Sequence, residues 1–237
     1  MRALVLDFGG TVDTDGVHWS EKFYGAYERA GVPVGREDFL SAYRAAEPLM
    51  GSGRVKANDS FRHTLRLQVS LQFESLKERG VLPAFEARGP RAHQIADACY
   101  RDVRETIGDI RPLLRAWSRR CPLGLVSNFY GNLATVCREL KIASLFDVMV
   151  DSAVAGVRKP DPGIFSLACE ALHARPEDVV VVGDSYERDI VPAKTIGCLT
   201  VWLRGGSGDV SPPGSGADFI IQRMRELQPH LFERIPQ

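Results

Sequence analysis

Leu4-Val5-Leu6-Asp7-Phe8-Gly9-Gly10-Thr11-Val12 decides the fold, because an apolar run of strand length delivers a carboxylate into a glycine turn. Ligands of open α/β proteins gather where the C-terminal ends of parallel strands open, so a side chain at that point faces a binding crevice. Val179-Val180-Val181-Val182-Gly183-Asp184-Ser185 repeats the pattern and supplies a second carboxylate. Leu123-Gly124-Leu125-Val126-Ser127-Asn128 puts a hydroxyl at a third strand end, and Arg158-Lys159-Pro160-Asp161 puts an ammonium ahead of a helix. Together these groups suit an anion and a divalent cation.

Further apolar runs predict strands at about 2–7, 122–127, 147–151, 178–183 and 198–203, with a shorter one at 217–221. Helical patterns separate most of them, at Ile110 to Trp117, Leu133 to Leu140, Gly163 to Leu172 and Glu187 to Ile196. The alternation predicts an α/β fold, a Rossmann-like, mostly parallel sheet covered by helices. The first interval differs, since about 115 residues lie between the first two strands without a strand series. Trp19, Phe23 and Tyr27 recur every four residues there, as do Phe61, Leu65, Val69 and Phe73, so each set lines one helix face and belongs to a core. Gly51-Ser52-Gly53 and Gly80 to Pro83 read as connections, and Pro90 after Gly89 as a helix start. The expected organisation is a core domain of residues 1–13 and 105–237, interrupted by a helical cap domain at 14–104. A cap so placed is positioned as a lid. The Gly, Ser and Pro content of Arg204 to Gly216 predicts a surface loop.

The 237 residues suffice for a sizeable core. Lysine plus arginine balance aspartate plus glutamate at 30 each, so no global field points to nucleic acid or to an anionic membrane. Arg111, Arg115 and Arg119, with Arg120 beside them, read as a solvated helix face. Five cysteines without CxxC spacing indicate buried free thiols rather than a disulfide framework or a zinc site. The apolar stretch after Met1-Arg2 is too short for a signal-peptide core or a membrane span, so a cytoplasmic location is expected. Oligomeric state is not legible.

A carboxylate attacking phosphorus divides a hard hydrolysis into two easier steps, provided the charge on the phosphoryl oxygens is neutralised. Asp7 and Asp184 are the expected Mg²⁺ ligands, with a backbone carbonyl sufficient beside them. Ser127 and Asn128 are expected to grip a phosphoryl oxygen, Lys159 to supply fixed positive charge, and Asp189 to orient a metal-bound water or Lys159. The substrate is expected to be a small phosphorylated molecule.

These residues resemble the motifs of the haloacid dehalogenase superfamily of hydrolases. The first motif resembles Asp7 through Val12, the second Ser127-Asn128, the third Lys159-Pro160, and the fourth Gly183-Asp184-Ser185 through Asp189. The resemblance spans essentially the whole chain, including the interval that leaves room for a helical cap. It implies a phosphatase-like hydrolase whose Mg²⁺ is ligated by Asp7, Asp184 and the Gly9 carbonyl, with Thr11 and Asp189 in support. Gly9 is the departure, for most phosphatases of the superfamily carry there a second Asp that protonates the leaving oxygen and then activates water. Asp13, Asp15 and His18 are the nearby groups that could substitute, although Asp13-Thr14-Asp15-Gly16 also reads as a turn. A small residue at this position also occurs in the family's phosphonate hydrolases, for which Lys22, Lys56 and Lys77 would be the Schiff-base candidates. A metal-independent dehalogenase is a further alternative, against which Asp184 speaks, and a catalytically weak phosphate-binding protein is another.

Overall fold

The computed structural model describes residues 3–82, 90–205 and 216–227. Strand β1 (Ala3–Asp7) enters a tight irregular turn at Phe8–Val12, and four helices follow: α1 (Trp19–Arg29), α2 (Arg36–Leu49), α3 (Phe61–Glu78) and α4 (Pro90–Ser118). The remainder alternates β2 (Leu123–Ser127), α5 (Leu133–Glu139), β3 (Val148–Asp151), α6 (Ser152–Ala155), α7 (Gly163–Ala171), β4 (Val179–Gly183), α8 (Val191–Thr195), β5 (Leu199–Leu203) and β6 (Phe219–Ile221). The strands form one six-stranded sheet in the order β3-β2-β1-β4-β5-β6. Every pairing is parallel. The chain steps outward from β1 in both directions, so the crevice of an open α/β sheet falls at the C-terminal end of β1, between β2 and β4.

Alternation along the strands sorts side chains onto two faces. Leu4, Leu6, Val180, Val182, Leu123 and Leu125 join a cluster that continues through Ile110, Leu114 and Trp117 of α4 to Phe23, Tyr27 and Phe73. Ala3, Val5, Val126, Val179 and Val181 pack on the opposite face against Ile164, Phe165 and Ala168 of α7. Apolar packing is therefore continuous from the sheet into the inserted helices. The expected aromatic stripes are real, with Phe23 and Tyr27 on α1 and Phe61, Leu65, Val69 and Phe73 on α3 all buried.

Two expectations change in extent. The run from Ile110 to Trp117 is the C-terminal part of α4, which continues unbroken for 29 residues from Pro90. Its apolar residues Ile95, Cys99, Val103, Ile107, Ile110, Leu114 and Trp117 keep one face buried throughout, so the helix passes through the division drawn at 104/105. The segment from Glu187 to Ile196 consists of a helical turn at Tyr186–Ile190 followed by α8. Most of the loop expected at Arg204 to Gly216, together with Pro83 and Gly89, lies outside the described residues. Arg115, Arg119 and Arg120 are exposed and Arg111 is half-buried, and all five cysteines are buried free thiols. Among the described residues no helix is long and apolar enough to cross a membrane.

Inside the inserted helices, the Tyr27 hydroxyl donates to Gln72 Oε1 at 3.0 Å, and Gln72 Nε2 is buried without a partner. Removing one member of a buried pair strands the other, whereas replacing both by apolar groups does not. Gln72→Leu alone is expected to destabilise by about 1–3 kcal/mol, and adding Tyr27→Phe to recover most of that loss. Urea unfolding of the two single variants and the double variant checks this.

Candidate active site

Asp7, Ser127 and Asp184 stand at the C-terminal ends of neighbouring strands β1, β2 and β4, the result of the register that pairs Asp7 with Val126 and Leu6 with Val182. Lys159 arrives from the loop before α7. Its Nζ donates to Asp7 Oδ1 and, at 2.7 Å, to Asp189 Oδ1, with all three residues buried. Asp189 Oδ2 accepts from the Ser185 amide at 3.0 Å, so both Asp189 oxygens are engaged and the residue holds the ammonium in place.

Asn128 and Lys159 bond reciprocally across 31 residues of chain. Asn128 Nδ2 donates to the Lys159 carbonyl at 2.9 Å, and the Lys159 amide donates to Asn128 Oδ1 at 2.8 Å. The carboxamide expected on a phosphoryl oxygen therefore positions the lysine as well, with one of its two Nδ2 hydrogens used in doing so.

Asp7, Asp184 and Asp189 each offer an oxygen within 4.8 Å of the others. Burial raises the Asp7 pKa to about 6, Lys159 opposing the rise and Asp189 adding to it. Burial, then Asp7 and Asp189, also push the Asp184 pKa well up. Burial disfavours the Lys159 charge, yet Asp189 and Asp7 outweigh it and hold the ammonium above its ordinary pKa. Three carboxylates around one ammonium leave excess negative charge, and Asp7 Oδ2 is buried without a hydrogen-bond partner. Oxygen-only donors, a charge excess and an orphaned carboxylate oxygen fit a hard divalent cation. Thr11 Oγ1 donates to Asp184 Oδ1 at 3.4 Å, and the Trp202 indole donates to the Asp184 carbonyl at 2.8 Å. Trp202 is missed by sequence reasoning because it sits mid-strand in an apolar run, where core packing explains it fully.

The turn after Asp7 separates two glycines by their surroundings. Gly10 has φ +100° and a Cβ there would lie 2.3 Å from Asp184 Oδ2. Gly9 has φ −79° and ψ 108°, which any residue adopts, and a Cβ there would only touch the Trp19 indole at 3.8 Å. The Gly9 side-chain position is therefore open to a methyl group but flanked by tryptophan.

The three possible substitute acids part company. Asp13 is buried, and its Oδ1 accepts from the Gly10 amide at 2.8 Å while Oδ2 accepts from Trp19 Nε1 at 2.9 Å. Burial raises its pKa to about 7 against those two bonds. His18 caps α1, its Nδ1 accepting from the Ser20 amide at 3.2 Å, and it lines the same cavity as Asp7. Asp15 is not brought to the site, since its Oδ1 accepts from the Met224 amide at 2.7 Å and its Oδ2 pairs with Arg223. Its main-chain partner lies 209 residues away in the chain, outside the reach of the local turn pattern.

The carboxylates, Ser127 and Lys159 form the floor of a cavity of about 560 Å³. Tyr43 and Glu47 of α2 with Thr64 and Gln68 of α3 wall it from the inserted helices, and Tyr130 and Arg188 from the sheet side. Among its described lining residues Lys159 is the only lysine, so Lys22, Lys56 and Lys77 do not reach it.

Comparison with known proteins agrees with this geometry. The family model described as haloacid dehalogenase-like hydrolase matches residues 1–197. The chain is 29% identical over 181 residues to a glyceraldehyde 3-phosphate phosphatase of Pyrococcus furiosus, covering 75% of this chain and 69% of that protein. It is also 29% identical over 163 residues to a phosphoserine phosphatase of Thermus thermophilus, covering 65% of this chain and 61% of that one. In fold it superposes on the L-2-haloacid dehalogenase of Xanthobacter autotrophicus with a TM-score of 0.62 at 17% identity, covering 100% of both chains.

A Gly10→Ala variant is expected to lose more than about 1 kcal/mol of stability, because Ala pays for the positive φ and displaces Asp184. Gly9→Ala is expected to remain within about 1 kcal/mol of the parent. Denaturant midpoints of the two variants make the comparison.

Proposed function

We propose that this chain, which belongs to the haloacid dehalogenase-like hydrolases, is a Mg²⁺-dependent phosphatase that acts on a small phosphorylated metabolite through an aspartyl-phosphate. The single observation that carries the reading is the buried Asp7 carboxylate, with Oδ1 held by Lys159 and Oδ2 without a protein partner, at the floor of a cavity. Relatives named as phosphatases of glyceraldehyde 3-phosphate and of phosphoserine support phosphomonoester chemistry. In this reading residues 14–104 are the cap over a core of 1–13 and 105–237, with α4 running from one into the other.

Asp7 supplies the nucleophile. Its carboxylate oxygen forms a bond to phosphorus as the bond from phosphorus to the leaving oxygen breaks, and the electron pair departs with that oxygen. Water then attacks phosphorus, releases inorganic phosphate with loss of a proton, and regenerates the Asp7 carboxylate. Ser127 donates to a phosphoryl oxygen, and Lys159 places a permanent charge beside it. Asp7, the Gly9 carbonyl and Asp184 would hold the Mg²⁺, with Asp189 and Thr11 fixing their partners. A bound divalent cation supplies the remaining neutralisation of charge on the phosphoryl oxygens.

The leaving oxygen meets no acid at position 9, and both Asp13 oxygens already accept hydrogen bonds from the Gly10 amide and the Trp19 indole. Loss of general acid catalysis costs about 10²–10⁴-fold and penalises a basic leaving group most. Acyl and aryl phosphates are therefore the favoured substrates. Asp7→Asn is expected to lose turnover and phosphate trapping on the protein, and Asp184→Ala to lose Mg²⁺ affinity in calorimetry.

The wild-type comparison reads the leaving group directly. A matched aryl phosphate is expected to turn over about 10²-fold or more faster than an alkyl phosphate under Mg²⁺. Equal rates with chemistry limiting would mean that another group delivers the proton, with Asp13 the first to replace. Tight phosphate binding without turnover of either would favour a binding protein.

A further inference from the structure

The cavity wall opposite the phosphate-binding floor carries a carboxylate that hydrolysis does not use. Glu47 of α2 accepts from Gln68 Nε2 at 2.6 Å and from the Tyr130 hydroxyl at 3.3 Å, both of them neutral donors. Among the described residues no cation comes within 4.0 Å of it; burial pushes its pKa up, and Arg188 and Arg158 oppose that rise through space. Tyr43, Tyr130 and Gln68 line the same cavity beside it. A carboxylate taken out of water is costly unless it is paired with a charge and fully hydrogen-bonded. Two neutral donors leave acceptor capacity on its two oxygens, which hold about four lone-pair sites.

A purely architectural role would be to tie α2 to α3 and to the turn after β2. A glutamine serves that purpose too, since its Oε1 can accept from Gln68 while its Nε2 donates to the Tyr130 hydroxyl oxygen. What glutamine lacks is charge, and Glu47 lines the cavity above the carboxylate cluster. An ammonium group delivered there would supply a countercharge in direct contact, and aromatic rings tolerate the methylenes that carry it.

Resting on the phosphomonoester reading above, we propose that the cap wall is a subsite for the ammonium group of an amine-bearing phosphomonoester, with Glu47 as its anionic receptor. Asp7, Ser127 and Lys159 hold the phosphate end, and Glu47 with Tyr130 and Tyr43 receives the amine end. The cavity of about 560 Å³ admits a small bifunctional molecule between the two.

Three aryl phosphates with nearly equal leaving groups isolate this contact: the 4-(2-aminoethyl)phenyl, 4-(2-hydroxyethyl)phenyl and 4-propylphenyl esters. The amine is expected to show about tenfold or more higher kcat/KM than either neutral ester, the scale of a charge-assisted hydrogen bond. In Glu47→Gln that ratio is expected to fall to near one, with Glu47→Asp retaining part of it. Equal kcat/KM for amine and neutral esters in the parent, or an unchanged ratio in Glu47→Gln, would overturn the proposal while leaving the phosphatase reading intact. If none of the esters is hydrolysed, the phosphatase reading fails, and calorimetric affinities of the same three esters decide. Tighter binding of the amine that Glu47→Gln abolishes would support the subsite, and equal affinities would overturn it.

Discussion

One buried ammonium among three carboxylates organises this molecule. Lys159 keeps its charge out of water because Asp7 and Asp189 face it, and its ammonium in turn opposes the rise that burial imposes on the Asp7 pKa. The arrangement dictates much of the surrounding architecture. Asn128 bonds both main-chain polar groups of Lys159, the Ser185 amide fixes Asp189, and Trp202 anchors the Asp184 carbonyl from the neighbouring strand. One tether fixes the segment after β2 to Lys159 and two fix the segment after β4, so the parallel register and the charge cluster stabilise the same geometry.

The cavity above the cluster is built from two sources with different chemistry. Its floor comes from strand ends and is charged and rigidly bonded, while its upper wall comes from α2 and α3 and presents hydroxyl, amide and carboxylate groups. The apolar cluster that runs from Leu4 and Leu6 through α4 to Tyr27 and Phe73 ties both to one packing unit. Burial of that surface, at roughly 25 cal/mol per Å², is what holds the polar groups of the wall over the floor.

Local signals in the sequence reached most of the fold and the polar residues that meet at the strand ends. The strand positions follow from apolar runs, since β1, β2 and β4 are buried on both faces and need no polar alternation. The helices α1 and α3 follow from aromatic spacing. The full length of α4 does not, because Gly108 and Pro112 punctuate it and packing overrides their local preference. Asn128 was legible as a polar residue at a strand end, but its reciprocal bonds to Lys159 are set by loops far apart in sequence. Asp15 fits a local turn in sequence, while its main-chain partner Met224 enters from the other end of the chain. Glu47 sits on a helix rich in charge, and only the packing of α2 on α3 distinguishes it from its solvated neighbours.

Trp19 couples the glycine at position 9 to the buried Asp13. Its indole flanks the space that any larger side chain there would enter, and its N–H satisfies the buried Asp13 carboxylate. An aspartate introduced at position 9 has to share that space with the ring, yet removing the ring strands Asp13, at a cost of about 1–3 kcal/mol for an unsatisfied buried group. Positions 9, 13 and 19 therefore form one coupled unit, in which a change at any one of them is felt through the indole by the other two.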